Sequence, residues 1–333
     1  MTATMKAVVL TGYGEPHDVL RLDTIAKPTP TRDQVLVRVR VAAVNDWDWC
    51  YARGKPQIYR LIFGLTRPSV TVLGVDVSGV VEAVGEGVHS LAVGDEVYGD
   101  LSEAGFGGFA EYVCCRHDAW TKKPWRMTFE QAAALPHASM LALQGLVDIG
   151  QIQNGERVLI NGAGGGVGAI GLQIAKRYGC DVTGVDSAPK LKALTTLGFD
   201  HVIDYQRHDF TSDGQRYDLI LDTKTTRSPF RFLRSLTPKG RYVTVGGHTT
   251  RLLQTVLAAP LVRASQVRAS QTKQVHVLAL KPNQGLTTIN EMFETSGLHC
   301  LIDGTYTLAD VPRALQRFGA AEHIGKILIS VSA

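Results

Sequence analysis

Nowhere in the 333 residues does an apolar run approach the ~20 that a membrane-crossing helix requires, so no span is expected. Cysteine is sparse and unpatterned. Cys50, Cys114, Cys115, Cys180 and Cys300 form no C-x-x-C pair, which argues against a disulfide framework and a cysteine zinc cluster. The opening "MTATMKAVVLTGYGEP" lacks a small-residue cleavage site, so no secretory leader is expected and a reducing, cytoplasmic setting is the simplest reading. Acid is missing from one long stretch. Between Asp222 and Glu291 there is none, while Lys224, Arg227, Arg231, Arg234, Lys239, Arg241, Arg251, Arg263, Arg268, Lys273 and Lys281 all fall there. Such a block suits a phosphate-bearing ligand, an anionic membrane or nucleic acid, or else it is a set of solvated faces whose acids come from elsewhere in the fold. The second reading is adopted, because the interleaved aromatics of a nucleic-acid platform are lacking.

What is present is an ordinary folded composition, 44% hydrophobic and 20% charged with a net charge of +4. The length favours two domains. From Met5 to about Trp125 the chain reads as strands and turns, with "QVLVRVRVAAV" alternating as a half-buried strand does. At "TFEQAAALPHASMLALQGLVDIG" the spacing becomes helical, and Thr128 with Gln131 three residues later forms a capping-box start. Six short apolar strands follow, "RVLING", "DVTGVD", "HVIDY", "YDLILDT", "RYVTVGG" and "VHVLAL". Helical stretches such as "VGAIGLQIAKRYG" and "PKLKALTTLG" lie between them, which implies a parallel sheet covered on both faces. Two further helices, "NQGLTTINEMFETSG" and "LADVPRALQRFGAAE", and the strand "GKILISV" close the chain.

The stretch "NGAGGGVGAIG", Asn161 to Gly171, follows the first of these strands and opens a helix, the context of a dinucleotide-binding turn. Glycines there let the backbone turn tightly and approach a pyrophosphate, and the helix N-terminus presents unpaired N–H groups to the anion. The spacing is G-x-x-G-x-x-G, at Gly162, Gly165 and Gly168, with Gly164 and Gly166 filling in, and Val167 is counted with Gly166 among the expected cofactor contacts. The next strand ends at Asp186. Its carboxylate can accept both hydroxyls of an adenosine ribose and would repel a 2′-phosphate. Asp186 or Ser187 can also cap the helix that follows, and the two roles are compatible.

Taken together, "MKAVVLTGYGEPHDVLRL", "VLGVDVSGVVEAVGEGV", "GDEVYG", "GGFAEYV", "GAGGGVG", "LGFDHVIDY" and "IDGTYTLADVPRAL…GKILISV" resemble the medium-chain dehydrogenase/reductase superfamily, in its zinc-independent quinone oxidoreductase-like branch. The resemblance implies an α/β protein in which a Rossmann doubly wound parallel sheet domain is joined to a GroES-like β-barrel catalytic domain formed by both chain ends. It divides the chain into 1–127 (catalytic), 128–280 (NAD(P)-binding) and 281–333 (return to the catalytic domain). The active site is then expected in the cleft between the two domains.

Zinc-dependent members of this superfamily carry Cys, His and Cys ligands. Here Asn45 and Val75 stand at the first two positions and Pro136 or its neighbour at the third, so no metal is expected. His137, near the third position, is read as structural or substrate-facing. Without a metal to ionise a hydroxyl, the remaining chemistry is hydride transfer to quinones or α,β-unsaturated carbonyls, whose oxygen collects the arriving charge. The expected catalytic residues are Asn45, Asp48, Cys50 and Tyr51. Asn45 and Asp48 match the branch's N-x-x-D, with Asn45 a hydrogen-bond donor. Asp48, taken as exposed and ionised, is at least as well suited to orienting backbone or an adjacent Arg. Cys50 replaces the Tyr, Lys or His of many relatives, leaving Tyr51, Tyr59 or water as proton donors. Trp47 and Trp49 either stack on a flat substrate or belong to the core.

By resemblance, Lys190 and Tyr205 lie by the adenosine, Asp222 and Thr223 near the nicotinamide half, and Gly246, Gly247 and Leu280 along the nicotinamide. Leu141 stands where relatives usually have a Thr that touches that ring. The expected cofactor is NAD(P)H, with NADH slightly favoured by Asp186, although Lys190 and Arg207 can hold a 2′-phosphate. A homodimer is expected by analogy, with a small-molecule substrate and no nucleic-acid or membrane partner. The rivals are an alcohol dehydrogenase-like carbonyl reductase and a nucleotide-binding protein with little catalysis and an RNA- or membrane-surface role.

Overall fold

The computed structural model describes residues 3–266 and 272–331. The side chain of Arg263 and all of Arg268 lie outside the described residues. The chain divides into two compact units, Met1–His137 with Pro282–Ala333, and Ala138–Lys281.

In the first unit, β1 (Thr4–Leu10) pairs with β2 (Leu20–Ala26), and α1 (Pro16–Val19) sits between them in sequence. Then come β3 (Gln34–Ala43), α2 (Asp46–Arg53), α3 (Arg60–Phe63), β4 (Asp76–Val84), β5 (Glu96–Asp100), β6 (Tyr112–Arg116) and β7 (Thr121–Lys122). β3, β4 and β5 pair antiparallel in series, and alternate valines on them (Val35, Val37, Val39, Val77, Val81 and Val97) form the core. The alternation read from "QVLVRVRVAAV" therefore selects the buried face. The segment after β3 is helical rather than a turn: Asn45 and Asp48 make a capping box at the start of α2, and Gly54, at φ +56°, ends it.

Next come α4 (Phe129–Ala134) and α5 (Pro136–Leu143), which the sequence presents as one helical run. Thr128 caps α4 as expected, its hydroxyl accepting the Gln131 N–H at 3.2 Å. Pro136, without an N–H and with a ring that clashes one turn back, breaks the run in two.

The second unit holds the six expected strands, β8 (Arg157–Asn161), β9 (Asp181–Asp186), β10 (His201–Asp204), β11 (Tyr217–Asp222), β12 (Leu236–Thr244) and β13 (Gln274–Val277). They pair in the order β10-β9-β8-β11-β12-β13, all parallel. Helices α6 (Gly166–Arg177), α7 (Ala188–Leu197), α8 (Pro229–Arg234) and α9 (Thr249–Gln266) connect them. The order reverses at β8/β11, the switch point at whose carboxyl ends open α/β sheets take their ligands.

The chain then returns to the first unit with α10 (Leu286–Ser296), β14 (Ile302–Thr307), α11 (Val311–Gly319) and β15 (Lys326–Ser330), and β15 pairs with β3. Both chain ends thus build one sheet. Among the described residues no helix is long and apolar enough to cross a membrane.

Candidate functional site

In the second unit the expected cofactor residues gather at the carboxyl ends of the strands. Gly162, directly after β8, has φ +87°, and a Cβ there would lie 2.1 Å from Thr223 Oγ1. Gly168 faces the Ala163 backbone, where a Cβ would come within 2.4 Å of the carbonyl oxygen. Packing alone therefore demands these two glycines. Gly165, the N-cap of α6, is different: a Cβ there would meet nothing nearer than the Gly162 oxygen at 3.6 Å. Gly165, Gly166 and Val167 are half-buried, and the first-turn N–H groups of α6 have no carbonyl one turn back to bond. That suits the anionic linker of a dinucleotide, so the turn fits the expected cofactor.

Asp186, at the end of β9, leans over this turn. One carboxylate oxygen accepts the Gly164 N–H at 2.8 Å, the other accepts the Ser187 N–H at 2.9 Å, and Lys190 Nζ stands 3.8 Å away. The Tyr205 N–H bonds the Asp186 carbonyl at 3.2 Å. Asp186, Ser187, Lys190 and Tyr205 are thus brought together. Ser187 holds the N-cap position of α7, but its side chain makes no capping bond. Gly246 and Gly247 follow β12, and Leu280 lies just past β13, half-buried. Gly247, at φ +112°, is forced by the Lys224 carbonyl, 2.1 Å from where its Cβ would be.

Asp222 is turned inward. Its carboxylate is fully buried, and Asn161 Nδ2 (2.7 Å), the Lys224 N–H (2.9 Å), the Thr225 N–H (3.0 Å) and the Tyr242 hydroxyl (2.8 Å) all donate to it. It sutures the ends of β8, β11 and β12, three donors meeting one carboxylate oxygen and the Tyr242 hydroxyl the other. Thr223 beside it is likewise bonded inward, its hydroxyl to the Asn161 carbonyl at 3.0 Å.

The first unit holds a buried polar cluster that the sequence did not disclose. Asp76 opens β4 and Asp100 closes β5, and the two stand directly opposite in the antiparallel register. Like charges so placed repel, and each has its own cation. Lys326, the first residue of β15, reaches Asp76 Oδ2 at 2.9 Å, and His137 Nδ1 lies 2.7 Å from Asp100 Oδ2. The other oxygen of Asp76 accepts the His137 N–H at 2.9 Å. Asn283 clasps the Asp100 backbone from both sides, at 2.7 and 2.9 Å. Burial opposes a charged His137 ring, but the Asp100 carboxylate outweighs it and holds the ring above its ordinary value. Burial likewise opposes the Asp100 anion, and His137 with Ser102 brings its carboxyl below the usual range.

Asn45 joins the same cluster. Its Oδ1 is 2.5 Å from Lys326 Nζ and its Nδ2 donates to the Ala43 carbonyl at 3.3 Å. An ammonium can only donate, so the atom facing it is oxygen, and the amide orientation is fixed with its N–H₂ group away from Lys326. Asp48 is not exposed as expected. It is fully buried, accepts the Asn45 and Gly74 N–H groups at 2.9 and 2.8 Å, and burial pushes its carboxyl up to about 7 against those bonds. Orienting backbone is therefore its visible role.

Cys50 is half-buried beside Asp46, and burial with that neighbouring charge drives its thiol pKa upward, so the proton stays on sulfur. Tyr51 is core: its ring stacks on Phe63 at 4.2 Å, and its hydroxyl meets Ser69 Oγ at 2.9 Å and accepts the Val70 N–H at 3.0 Å. Trp47 packs on Tyr59 and Phe63, and Trp49 lies under Arg53, both against the core. Leu141 is buried in α5. His137, read as structural or substrate-facing, is held by Asp100. Lys326, Asp76 and Asp100 were missed. Their signal is a charged residue at the end of each of three apolar strands, which sequence cannot pair.

Comparison with known proteins fits this architecture. The family described as "Alcohol dehydrogenase GroES-like domain" matches residues 31–125, and that described as "Zinc-binding dehydrogenase" matches residues 197–329. Among the described residues no group of three or more His, Cys, Asp or Glu is placed to hold a metal ion. The chain is 38% identical over 229 residues to the 2-methylene-furan-3-one reductase of Solanum lycopersicum, a match that covers 66% of this chain and 57% of that protein. It is 30% identical over 359 residues to the synaptic vesicle membrane protein VAT-1 homolog of Danio rerio, covering 99% and 70%. The quinone oxidoreductase of Coxiella burnetii superposes with a TM-score of 0.83 at 27% identity, over 99% of this chain and all of that one. The chain belongs to the medium-chain dehydrogenase/reductase superfamily of oxidoreductases, in its quinone oxidoreductase-like branch.

Proposed function

We propose that the chain reduces quinones or α,β-unsaturated carbonyls with a reduced nicotinamide dinucleotide and without a catalytic zinc. The observation that carries the reading is the Lys326 ammonium fixed against Asn45 and Asp76. An amine among the would-be ligands, ion-paired with Asp76, opposes a divalent ion and polarises the Asn45 amide.

The cofactor supplies hydride to the electron-poor carbon. In this chain, the glycine turn and the start of α6 hold the diphosphate, and Asp186 takes the ribose hydroxyls. Asn45 donates an N–H to the oxygen on which charge collects, its other end held by Lys326. The His137 ring is oriented through Nδ1 by Asp100 and retains 8% of its side-chain surface, so Nε2 is the nitrogen that delivers the proton. Cys50 and Tyr51 are left out of this assignment.

The names of two relatives support the substrate class: the tomato reductase and the "NADPH-dependent alkenal/one oxidoreductase, chloroplastic" of Arabidopsis thaliana. Asp186 leans the choice of nucleotide toward NADH, and Lys190 moderates that lean. A homodimer is the arrangement the family resemblance implies, and the sparse cysteine usage favours a cytoplasmic setting. The test is purified protein with NADH or NADPH against quinones, enones, simple aldehydes and alcohols. Turnover confined to quinones or enones is expected. Turnover of simple aldehydes or alcohols favours the carbonyl-reductase rival, and tight nucleotide binding without turnover favours the silent one. One zinc per chain in protein prepared without chelator overturns the metal-free assignment, and equal or better turnover with NADPH overturns the lean to NADH.

A further inference from the structure

The acid-free stretch is only partly neutralised by the fold. Asp209 serves both Arg227 and Arg231, each at 3.5 Å, and Glu156 pairs with Arg241 at 2.6 Å. Arg234 and Arg251 have no salt bridge among the described residues.

The same stretch carries an apolar face turned outward. On α9, Leu253, Val256 and Leu257 recur at i, i+3 and i+4 and are 60%, 52% and 62% exposed, while Thr255 and Ala258 on the opposite side are buried. On the neighbouring α8, Phe230 is 54% exposed, and Arg234 lies one turn further along the same face. A groove of about 330 Å³ lies between the helices, lined by Ser228, Phe230, Arg251, Gln254, Leu257 and Ala258. An amphipathic helix normally buries its apolar stripe. Here that stripe, with basic residues at its rim and no acid in its own segment, faces out.

We infer that the α8–α9 face docks the protein on an anionic lipid surface, with the apolar side chains entering the headgroup–acyl boundary and Arg234 and Arg251 meeting lipid phosphates. A protein partner would have to bring both hydrocarbon and acid to this face, and an anionic bilayer offers the two together. The attachment is peripheral, since no described helix is able to span. It needs neither cofactor nor turnover.

The test is co-sedimentation of the full chain with phosphatidylcholine vesicles, with and without phosphatidylglycerol, across a salt series. Binding that requires phosphatidylglycerol and weakens with salt is expected. Leu253→Ser with Leu257→Ser should lower it at least about tenfold, from the transfer worth of two leucines. Arg234→Gln with Arg251→Gln should lower it about tenfold and flatten the salt dependence. Leu253, Leu257 and Arg234 are exposed and Arg251 is half-buried, and unchanged melting curves establish that the variants fold.

A wild-type chain that ignores anionic vesicles overturns the inference, as does binding that survives the leucine pair. The first unit has a second exposed apolar segment, Ile58, Leu61, Ile62 and Leu65. Binding lost only in Leu61→Ser/Ile62→Ser would assign the contact there and overturn the inference as well. So would a dimer that dissociates in the leucine variant while vesicles are left unbound, which would make this face a contact between copies.

Discussion

Asp76 and Asp100 face one another across two strands, and the fold tolerates them because Lys326 and His137 each neutralise one. Replacing Lys326 by Met would leave a buried carboxylate without its cation. The expected loss is about 3–5 kcal/mol in denaturant unfolding, and adding Asp76→Asn should recover part of it. The His137–Asp100 pair carries a pH signature. The His137 value is raised, so its contribution is full below the ordinary histidine value of about 6.5 and fades as pH rises through the folded value. The Asp100 value is lowered, so its contribution is present above about 3.9 and fades as pH falls through the folded value. His137→Gln should therefore flatten the decline in melting temperature on the alkaline side of pH 6.5. An unchanged profile there would mean that the ring is not charged in the native protein.

At the scale of elements, the parallel sheet was legible because its strands are short apolar runs separated mostly by helical stretches. The glycine turn was legible because Gly162 and Gly168 have steric reasons that sequence context announces. Three placements were hidden from the sequence for a shared reason. Asp48, Asp222 and Tyr51 are polar residues whose partners come from other elements, and a linear pattern cannot show that Asp222 collects donors from β8, β12 and the loop after β11. The break at Pro136 was local and readable, but the Ala- and Leu-rich spacing on both sides masked it. The turn also separates folding from binding. Gly162→Ala, at positive φ and with Thr223 in the way, should cost about 1–3 kcal/mol. Gly165→Ala should leave unfolding within about 0.5 kcal/mol of wild type, since a methyl there meets little. It should still weaken nucleotide binding by calorimetry at least about tenfold, a loss of roughly 1.4 kcal/mol. If both functions survive Gly165→Ala, the turn does not carry the diphosphate.

For the whole molecule, ligand linkage gives a test independent of substrate. Saturating nucleotide at about a hundred times its dissociation constant should add about 2.7 kcal/mol to the native state, visible as a rise of a few degrees in thermal unfolding. Prior treatment with a strong chelator should leave both the melting curve and that rise unmoved. Why one unit needs both chain ends is also visible at this scale. Asn45 and Lys326 are 281 residues apart in sequence, yet the contact between them orients the amide. Grafting cysteine at position 45 and histidine at position 75 would therefore not by itself make a zinc enzyme of this chain. The incoming dication would still meet an amine anchored from the last strand, so any such redesign has to begin at the opposite terminus.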